Sequence, residues 1–200
     1  MKKAPATLKS ISATLGMSPS TVSRVLNDKA KEYRISEATV KKVKEEAERV
    51  CFSPNQIASS LRLQKTNTIG LVIPDISNNY FATIARALEI EARKAGYSII
   101  LCDSQGETDL ERDAIRLLQG RNIDGLIVAP VGNDAEHLSA IKESGTPVVL
   151  VDRYFKDISI PSVSSDNFQG AYDAVSYMIN QGHSHIGCLQ GIADAMVSTE

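Results

Sequence analysis

The chain has 200 residues, a formal net charge of −2 at pH 7 and three cysteines, Cys51, Cys102 and Cys188. An odd number of widely spaced cysteines implies no disulfide framework, and reduced thiols are typical of a cytosolic protein. Because no leader-like segment opens the sequence and no apolar run is long enough to span a bilayer, we expect neither export nor membrane anchoring.

The charge is distributed unevenly along the chain. Residues 1–65 hold 13 Lys and Arg against 6 Asp and Glu, whereas residues 66–200 hold 9 against 18. A basic segment of net charge +7 followed by an acidic one of −9 is typical of a phosphate-binding module fused to a domain that does not touch nucleic acid. We therefore expect salt-dependent DNA binding through the first segment.

The first patterned segment predicts two short helices that pack against each other, which is a helix-turn-helix. The first helix has Thr7 as N-cap and ends at Gly16, which permits a left-handed backbone. The second has Ser18 as N-cap and Pro19 as its first residue, and it runs to about Asn27. The apolar residues of both helices recur at helical spacing and turn inward: Leu8, Ile11, Leu15, Val22, Val25 and Leu26.

The second helix is left with short hydroxyls and one arginine on its outer face. In a helix-turn-helix, the N-terminal part of this helix enters the major groove. Arg24 is the residue we expect to read a base, because a guanidinium binds guanine through two hydrogen bonds. A small helical bundle with a solvated polar face gives the same pattern and stays open as an alternative. The residues of this region predicted to contact DNA are Thr7, Leu8, Ser18, Pro19, Ser20, Thr21, Ser23, Arg24 and Asn27.

A third helix is predicted to close the core of this N-terminal region, residues 1–52, which we call the head. Its N-cap is Ser36, with Ile35 and Val40 placed as a hydrophobic staple. One apolar stripe follows at Val40, Val43, Ala47 and Val50.

Residues 53–65 connect the head to residues 66–200, which we call the body. A helix signal begins at Ser53, but the segment has too few apolar residues to hold a helix of about nine residues in water. It is either an ordinary linker or a hinge helix that forms only on DNA, with Leu61 wedged into a minor-groove base step. The hinge residues predicted to contact DNA are Asn55, Ile57, Ala58 and Leu61.

The body alternates short apolar runs with amphipathic helices. Strands are predicted at 69–73, 98–102, 125–129, 148–152 and 186–189. Helices are predicted near 80–95, 108–120, 134–144 and 168–181. This repeated β-α-β pattern predicts an open, mostly parallel sheet covered on both faces, which binds ligands outside the carboxyl ends of its strands.

Three segments, taken in order and spacing, resemble the LacI/GalR family of bacterial transcription regulators: TLKSISATLGMSPSTVSRVLN, FSPNQIASSLR and TIGLVIPDISNNYF. The resemblance implies an all-α helix-turn-helix head joined by a hinge helix to an α/β domain like that of periplasmic binding proteins. The implied boundaries are 1–52 for the head, 53–65 for the hinge, 66–166 for the first effector-binding subdomain and 167–200 for the start of a second. Since family members carry a complete second subdomain, we expect its C-terminal part to be missing here.

The loops after the predicted strands carry the candidate effector contacts. Carboxylates and amides pair with adjacent hydroxyls, while an aromatic ring covers the apolar face of a sugar or stacks on a base. By resemblance, Tyr80, Phe81 and Arg153 fall where relatives contact effectors. The full set of predicted effector-binding residues is Asn79, Tyr80, Phe81, Asp103, Asp152 and Arg153.

Structural roles stay open for several of these residues. Phe81 has helical spacing to apolar neighbours and so fits the core, while Asn79 fits a helix cap. Arg153 fits an ion pair with a nearby carboxylate.

Signals for other chemistry are weak. No Walker loop occurs, and IPDISNNY stands where G-x-G-x-x-G would follow the first strand. His183 and His185 lack a third metal ligand, and His137 falls in a predicted surface helix. No nucleophile elbow follows a strand. We therefore predict neither an enzyme, nor a metal site, nor a cofactor.

The resemblance implies a cytoplasmic, dimeric repressor that binds a palindromic operator and responds to a small, sugar-like effector. Control by a protein corepressor stays open. A sugar-binding transport receptor would share the α/β architecture, but it would carry a leader and no basic head. An enzyme tethered to DNA would need a catalytic constellation that the sequence does not display.

Overall fold

The computed structural model describes residues 6–52, 65–132 and 134–189. The chain divides into two compact units, Met1–Arg62 and Leu63–Glu200. The predicted hinge contacts Asn55, Ile57, Ala58 and Leu61 lie outside the described residues.

Three helices form the head: α1 (Leu8–Leu15), α2 (Pro19–Leu26) and α3 (Glu37–Arg49). Each begins at its predicted N-cap. The hydroxyls of Thr7, Ser18 and Ser36 accept the backbone N–H three residues further on, at 3.1, 3.1 and 3.3 Å. Gly16 ends α1 with a left-handed backbone (φ +61°), as its position predicts.

The core of the head draws on all three helices, which confirms the inward faces predicted from the apolar spacing. Its buried residues are Ile11, Val22, Val25, Val43 and Ala47. The residues packed at its edge include Leu8, Leu15, Leu26, Ala30, Ile35, Val40 and Val50. Both residues of the predicted staple, Ile35 and Val40, therefore contribute to this core.

The described body contains five strands and four helices. The strands are β1 (Thr68–Ile73), β2 (Ser98–Asp103), β3 (Gly125–Val128), β4 (Val148–Val151) and β5 (Ser162–Val163). The helices are α4 (Asn79–Lys94), α5 (Thr108–Gln119), α6 (Glu136–Glu143) and α7 (Asn167–Asn180). The strands form one parallel sheet in the order β2-β1-β3-β4-β5.

Helices pack on both faces of this sheet because successive side chains of a strand point to opposite faces. Leu71 and Ile73 of β1 pack with Phe81 of α4 on one face. Val72, between them, packs on the other face in a cluster with Leu118 of α5 and Leu138 of α6. The prediction of a parallel sheet covered on both faces is confirmed.

The predicted strand at 186–189 is wrong, and the fifth strand lies elsewhere. Residues 183–189 have no regular structure, and Leu189 is fully exposed. An apolar run becomes a strand only beside a partner, and no strand in the described residues lies alongside this one. The fifth strand, Ser162–Val163, is too short to give an alternating pattern and is defined by its pairing with β4.

Within the described ranges, no helix combines the length and apolarity needed to cross a membrane.

Candidate functional site

The surface of α2 carries the hydroxyls predicted to contact DNA. Ser18 Oγ lies 2.8 Å from Ser20 Oγ and 2.9 Å from Thr21 Oγ1, so the three hydroxyls form a hydrogen-bonded group at the start of the helix. Val22 and Val25, on the opposite side of α2, are fully buried. Packing of these two valines fixes which face of the helix is presented outward.

Arg24 lies in the last turn of the same helix and is exposed. Its Cζ atom lies 3.9 Å from the centroid of the Tyr33 ring. The Arg24 side chain makes no hydrogen bond or ion pair with the described residues. Its N–H donors are therefore available to an acceptor outside the protein.

The remaining predicted contacts of the head occupy its helix ends. Asn27 is the C-cap of α2, and its Nδ2 donates to the Ser23 carbonyl at 2.7 Å. Thr7 and Pro19 are exposed, whereas Leu8 is half-buried and packs against the core. Contact of all these residues with DNA stays a prediction.

In the body, the carboxyl ends of β1 to β4 surround a cavity of about 620 Å³. The strand order reverses between β1 and β3, and ligands of open α/β sheets bind outside such a reversal. Of the predicted effector contacts, Phe81, Asp103 and Arg153 line the cavity. The other three, Asn79, Tyr80 and Asp152, are not among its lining residues.

Two carboxylates of the cavity are oriented by the loops that carry them. Asp103 Oδ2 accepts the Ile76 N–H at 3.1 Å, and its Oδ1 accepts the Gln105 N–H at 2.8 Å. Asp75 Oδ1 accepts the hydroxyl and the N–H of Ser77 at 2.6 and 2.7 Å, and these two bonds lower the pKa of Asp75. Both side chains are thus fixed hydrogen-bond acceptors.

Arg153 is the cationic residue among the described lining of the cavity. Its Nη1 donates to the Pro130 carbonyl at 3.3 Å, and its Nε lies 3.7 Å from Asp152 Oδ2. That Nε is buried and has no hydrogen-bond partner. Arg153 therefore pairs with a carboxylate, which is the structural role that the sequence left open for it. It also faces the cavity.

Tyr80 makes a hydrogen bond within the protein, and its contact with an effector stays a prediction. Its hydroxyl donates to Asp152 Oδ1 at 2.7 Å and so joins α4 to the residue after β4. The hydrogen bond to this carboxylate, together with partial burial, raises the pKa of Tyr80 to about 12.

The cap of α4 is Asn78, one residue before the expected one. Asn78 Oδ1 accepts the Tyr80 N–H at 3.0 Å, and Asn78 also lines the cavity. Asn79 is the exposed first residue of the helix, so its interpretation as a cap was wrong by one position. Phe81 is 5% exposed, so it packs in the core as its spacing allowed, and it also borders the cavity. Its contact with an effector stays a prediction.

The sequence prediction omitted the loop after β3, which supplies Val131 and Gly132 to the cavity. Glu111 of α5 is fully buried and holds this loop: its carboxylate accepts the Val131 N–H at 2.9 Å and contacts His137 Nε2 at 2.7 Å. His137 lies on α6 within the predicted helix, and its side chain is 13% exposed because it packs against this carboxylate. Only the strand order, which brings β3 beside β1, could have indicated this loop.

Two family models match the chain. The model described as bacterial regulatory proteins, lacI family, matches residues 7–55. The model described as periplasmic binding proteins and sugar binding domain of LacI family matches residues 66–200.

Individual proteins match over most of the chain as well. The fructose operon regulatory protein of Vibrio cholerae is 35% identical over 195 residues, which are 97% of this chain and 60% of that protein. A structure of the Cra transcriptional dual regulator from Pseudomonas putida in complex with fructose 1-phosphate is 27% identical, with a TM-score of 0.62 over 66% of this chain and 50% of that one. The lac repressor dimer bound to operator and the anti-inducer ONPF has a TM-score of 0.83 at 22% identity, over 98% of this chain and 59% of that one. This chain thus spans 50 to 60% of the length of these three proteins.

Proposed function

The chain belongs to the LacI family of bacterial regulatory proteins, and from that premise we propose that it is a sequence-specific, DNA-binding transcription regulator. We propose further that it represses transcription as a homodimer on a palindromic operator, and that a small, sugar-like effector controls its affinity. The observation that carries the proposal is the exposed face of α2, where the hydroxyl group at Ser18 and the unpaired donors of Arg24 share one short helix.

The head and the segment that follows it together have the charge that such a role needs. Residues 1–65 carry a net charge of +7, although the whole chain carries −2. Lys and Arg that neutralise phosphates release counterions, which gives binding that weakens steeply with salt. Hydroxyls at the start of α2 suit phosphates and base edges, while Arg24 suits the O6 and N7 acceptors of guanine.

Dimerisation supplies the affinity that one head lacks. A single small head buries limited surface on DNA, whereas a second, linked head binds its half-site at a high effective concentration. This role places the protein in the bacterial cytoplasm, on the nucleoid when it is bound to DNA.

The cavity of the body supports a sugar or sugar derivative as effector. The carboxylates of Asp75 and Asp103 are fixed acceptors for hydroxyl groups, and Arg153 offers a cationic donor to an anionic or hydroxyl-bearing group. Phe81 adds an aromatic surface. We propose a binding role for this cavity rather than a catalytic one, in line with the regulatory names of the relatives that the chain matches.

The proposed switch is a difference in affinity between two conformations. A ligand that fits one arrangement of the cavity better than the other shifts the population towards it. In this proposal, the shift changes the spacing of the two hinge segments, residues 53–65, and so stabilises or melts their helices on DNA.

The experiment that tests the proposal is selection of genomic fragments by the full-length protein at near-physiological salt, followed by footprinting. We expect a palindrome upstream of a few operons, and the neighbouring genes nominate sugars to test as effectors. Calorimetric titration of those sugars and their phosphates then tests the cavity, with an Arg153→Gln variant as control. Salt-sensitive binding without any preferred sequence would reduce the head to a non-specific anchor and contradict the proposal.

A further inference from the structure

The loop between α2 and α3, residues 28–35, is attached to the rest of the head by three kinds of contact: a backbone hydrogen bond, apolar packing and an ion pair. Ile35 N–H donates to the Ala30 carbonyl at 2.9 Å, and both residues pack against the core of the head. Asp28 Oδ1 accepts a hydrogen bond from Lys44 Nζ of α3 at 3.3 Å. The loop is therefore attached both to the core and to the third helix.

Tyr33 is placed by this loop directly beside Arg24. Its backbone N–H donates to the Lys29 carbonyl at 3.2 Å, and the residue is 43% exposed at the surface of the head. The Arg24 Cζ atom lies over this ring at 3.9 Å from the centroid. A guanidinium this close to a ring face is attracted to it by the ring quadrupole.

This contact is compatible with recognition of a base. The ring contacts the face of the guanidinium, whereas guanine accepts hydrogen bonds from N–H groups along the guanidinium edge. An arginine that is free in solution loses rotamer freedom when it binds, and one that is already held loses less. A held guanidinium also rejects acceptors that lie outside its plane.

We infer that Tyr33 is a positioning residue that orients Arg24 for guanine and so sets the sequence preference of each half-site. The inference rests on the proposed function, because it requires that α2 enters the major groove of an operator. It assigns to the loop a part in sequence preference, through Tyr33 and Arg24, that contacts with phosphates alone would not supply.

The test measures base preference and not affinity alone. The full-length protein and its variants are bound to a library that contains every single-base change of the wild-type operator. For Tyr33→Leu we expect the preference for guanine to fall about 2- to 5-fold at one base pair of each half-site, in line with the strength of an exposed cation–π contact. Tyr33→Phe, the matched control that keeps the ring, retains the wild-type profile. Arg24→Ala relaxes the preference at the same base pair.

Three results would overturn the inference. They are a wild-type profile for Tyr33→Leu, an equal loss for Tyr33→Phe, and uniform weakening at all positions for Arg24→Ala. Circular dichroism and thermal melting verify that each variant is folded, and Tyr33→Gln serves as a second variant without a ring. If the wild-type protein shows no preferred sequence, the proposed function is contradicted together with this inference. If it binds a clear palindrome and Tyr33→Leu has the same profile, only this inference is contradicted.

Discussion

The hydroxyl of Tyr80 is a hydrogen-bond donor to Asp152, and this bond links the start of α4 to the end of β4. The folded protein holds the pKa of Tyr80 at about 12, above the usual value of 10.0 for tyrosine, because the bond favours the protonated phenol. With the folded pKa above the unfolded one, the stabilising contribution is complete below pH 10 and is lost as the pH rises through 12.

We therefore expect Tyr80→Phe to lower the free energy of unfolding by about 1 kcal/mol at pH 8, and by progressively less between pH 10 and 12. Denaturant unfolding followed by circular dichroism measures the difference. Tyr172→Phe, at an exposed position that stacks on Phe168, is the matched control and is expected to be neutral at every pH. A deficit for Tyr80→Phe that does not change with pH would show that the hydrogen bond is unimportant.

Two glycines that line the cavity differ in what a side chain would meet there. Gly106 and Gly132 both have left-handed backbones, with φ +74° and +72°. A Cβ at Gly106 meets open space, whereas one at Gly132 lies 2.7 Å from Thr108 Oγ1. The first substitution adds backbone strain alone, and the second adds strain and a clash.

We expect Gly106→Ala to cost about 1 to 2 kcal/mol of unfolding free energy, and Gly132→Ala about 1 to 3 kcal/mol more. Thr108→Ala in the Gly132→Ala background removes the clash and should restore the value of Gly106→Ala. Equal costs for the two glycine variants would mean that the Thr108 side chain rotates away, or α5 shifts, to admit the new methyl group. Chemical denaturation of the wild type and the three variants decides between these outcomes.

At the scale of elements, Asp124 fixes the point at which the chain enters the sheet of the body. Its Oδ1 accepts the Thr66 N–H and hydroxyl at 2.8 and 3.0 Å, and its Oδ2 accepts the Asn67 N–H at 2.9 Å. The carboxylate at the start of β3 thus holds the two residues that precede β1. These hydrogen bonds attach the residues directly after the proposed hinge to the start of β3.

For Asp124→Asn we expect a loss of about 1 to 3 kcal/mol, because the amide keeps one acceptor oxygen and leaves a backbone N–H unpaired. Hydrogen exchange should accelerate at the amides of Thr66 and Asn67 in particular. Asp113→Asn is the matched control, since its ion pair with Arg116 is exposed and is worth at most about 1 kcal/mol. Unchanged protection of the two amides would refute the assignment.

Elements that are determined by residues close together in the chain could be predicted from the sequence. The caps of α1, α2 and α3 are examples, because a cap hydroxyl bonds a backbone N–H only three residues away. β1 could be predicted as well, since a strand buried on both faces is a continuous apolar run.

Features that depend on distant pairing could not be predicted in the same way. The strand expected at 186–189 has no neighbour among the described strands, while Ser162–Val163 becomes a strand only through β4. The cavity needs the strand order, which places the loop after β3 next to that of β1. In the sequence, Glu111 looks like any other charged residue of an amphipathic helix. It is buried because Val131 and His137, which are distant in the chain, pack against it.

At the scale of the whole molecule, the proposed regulator must convert two weak head contacts into one tight complex. The head is basic and the body acidic, so only the first 65 residues favour a polyanion. Attraction to phosphates is independent of sequence, whereas the proposed hinge helix would add a contact that depends on the spacing of two half-sites.

The hinge is tested by Leu61→Ala in the full-length protein. If Leu61 inserts between two base pairs, the alanine variant leaves the unstacked step without an apolar contact. Operator affinity should then fall by a few kcal/mol. Binding to random DNA should stay the same, because the basic residues are untouched. Leu63→Ala removes an equal side chain from the same segment and is expected to bind the operator normally. Equal operator affinities for wild type and Leu61→Ala would mean that residues 53–65 act only as a linker. An effector bound to the body would then change operator affinity only through the distance between the two heads.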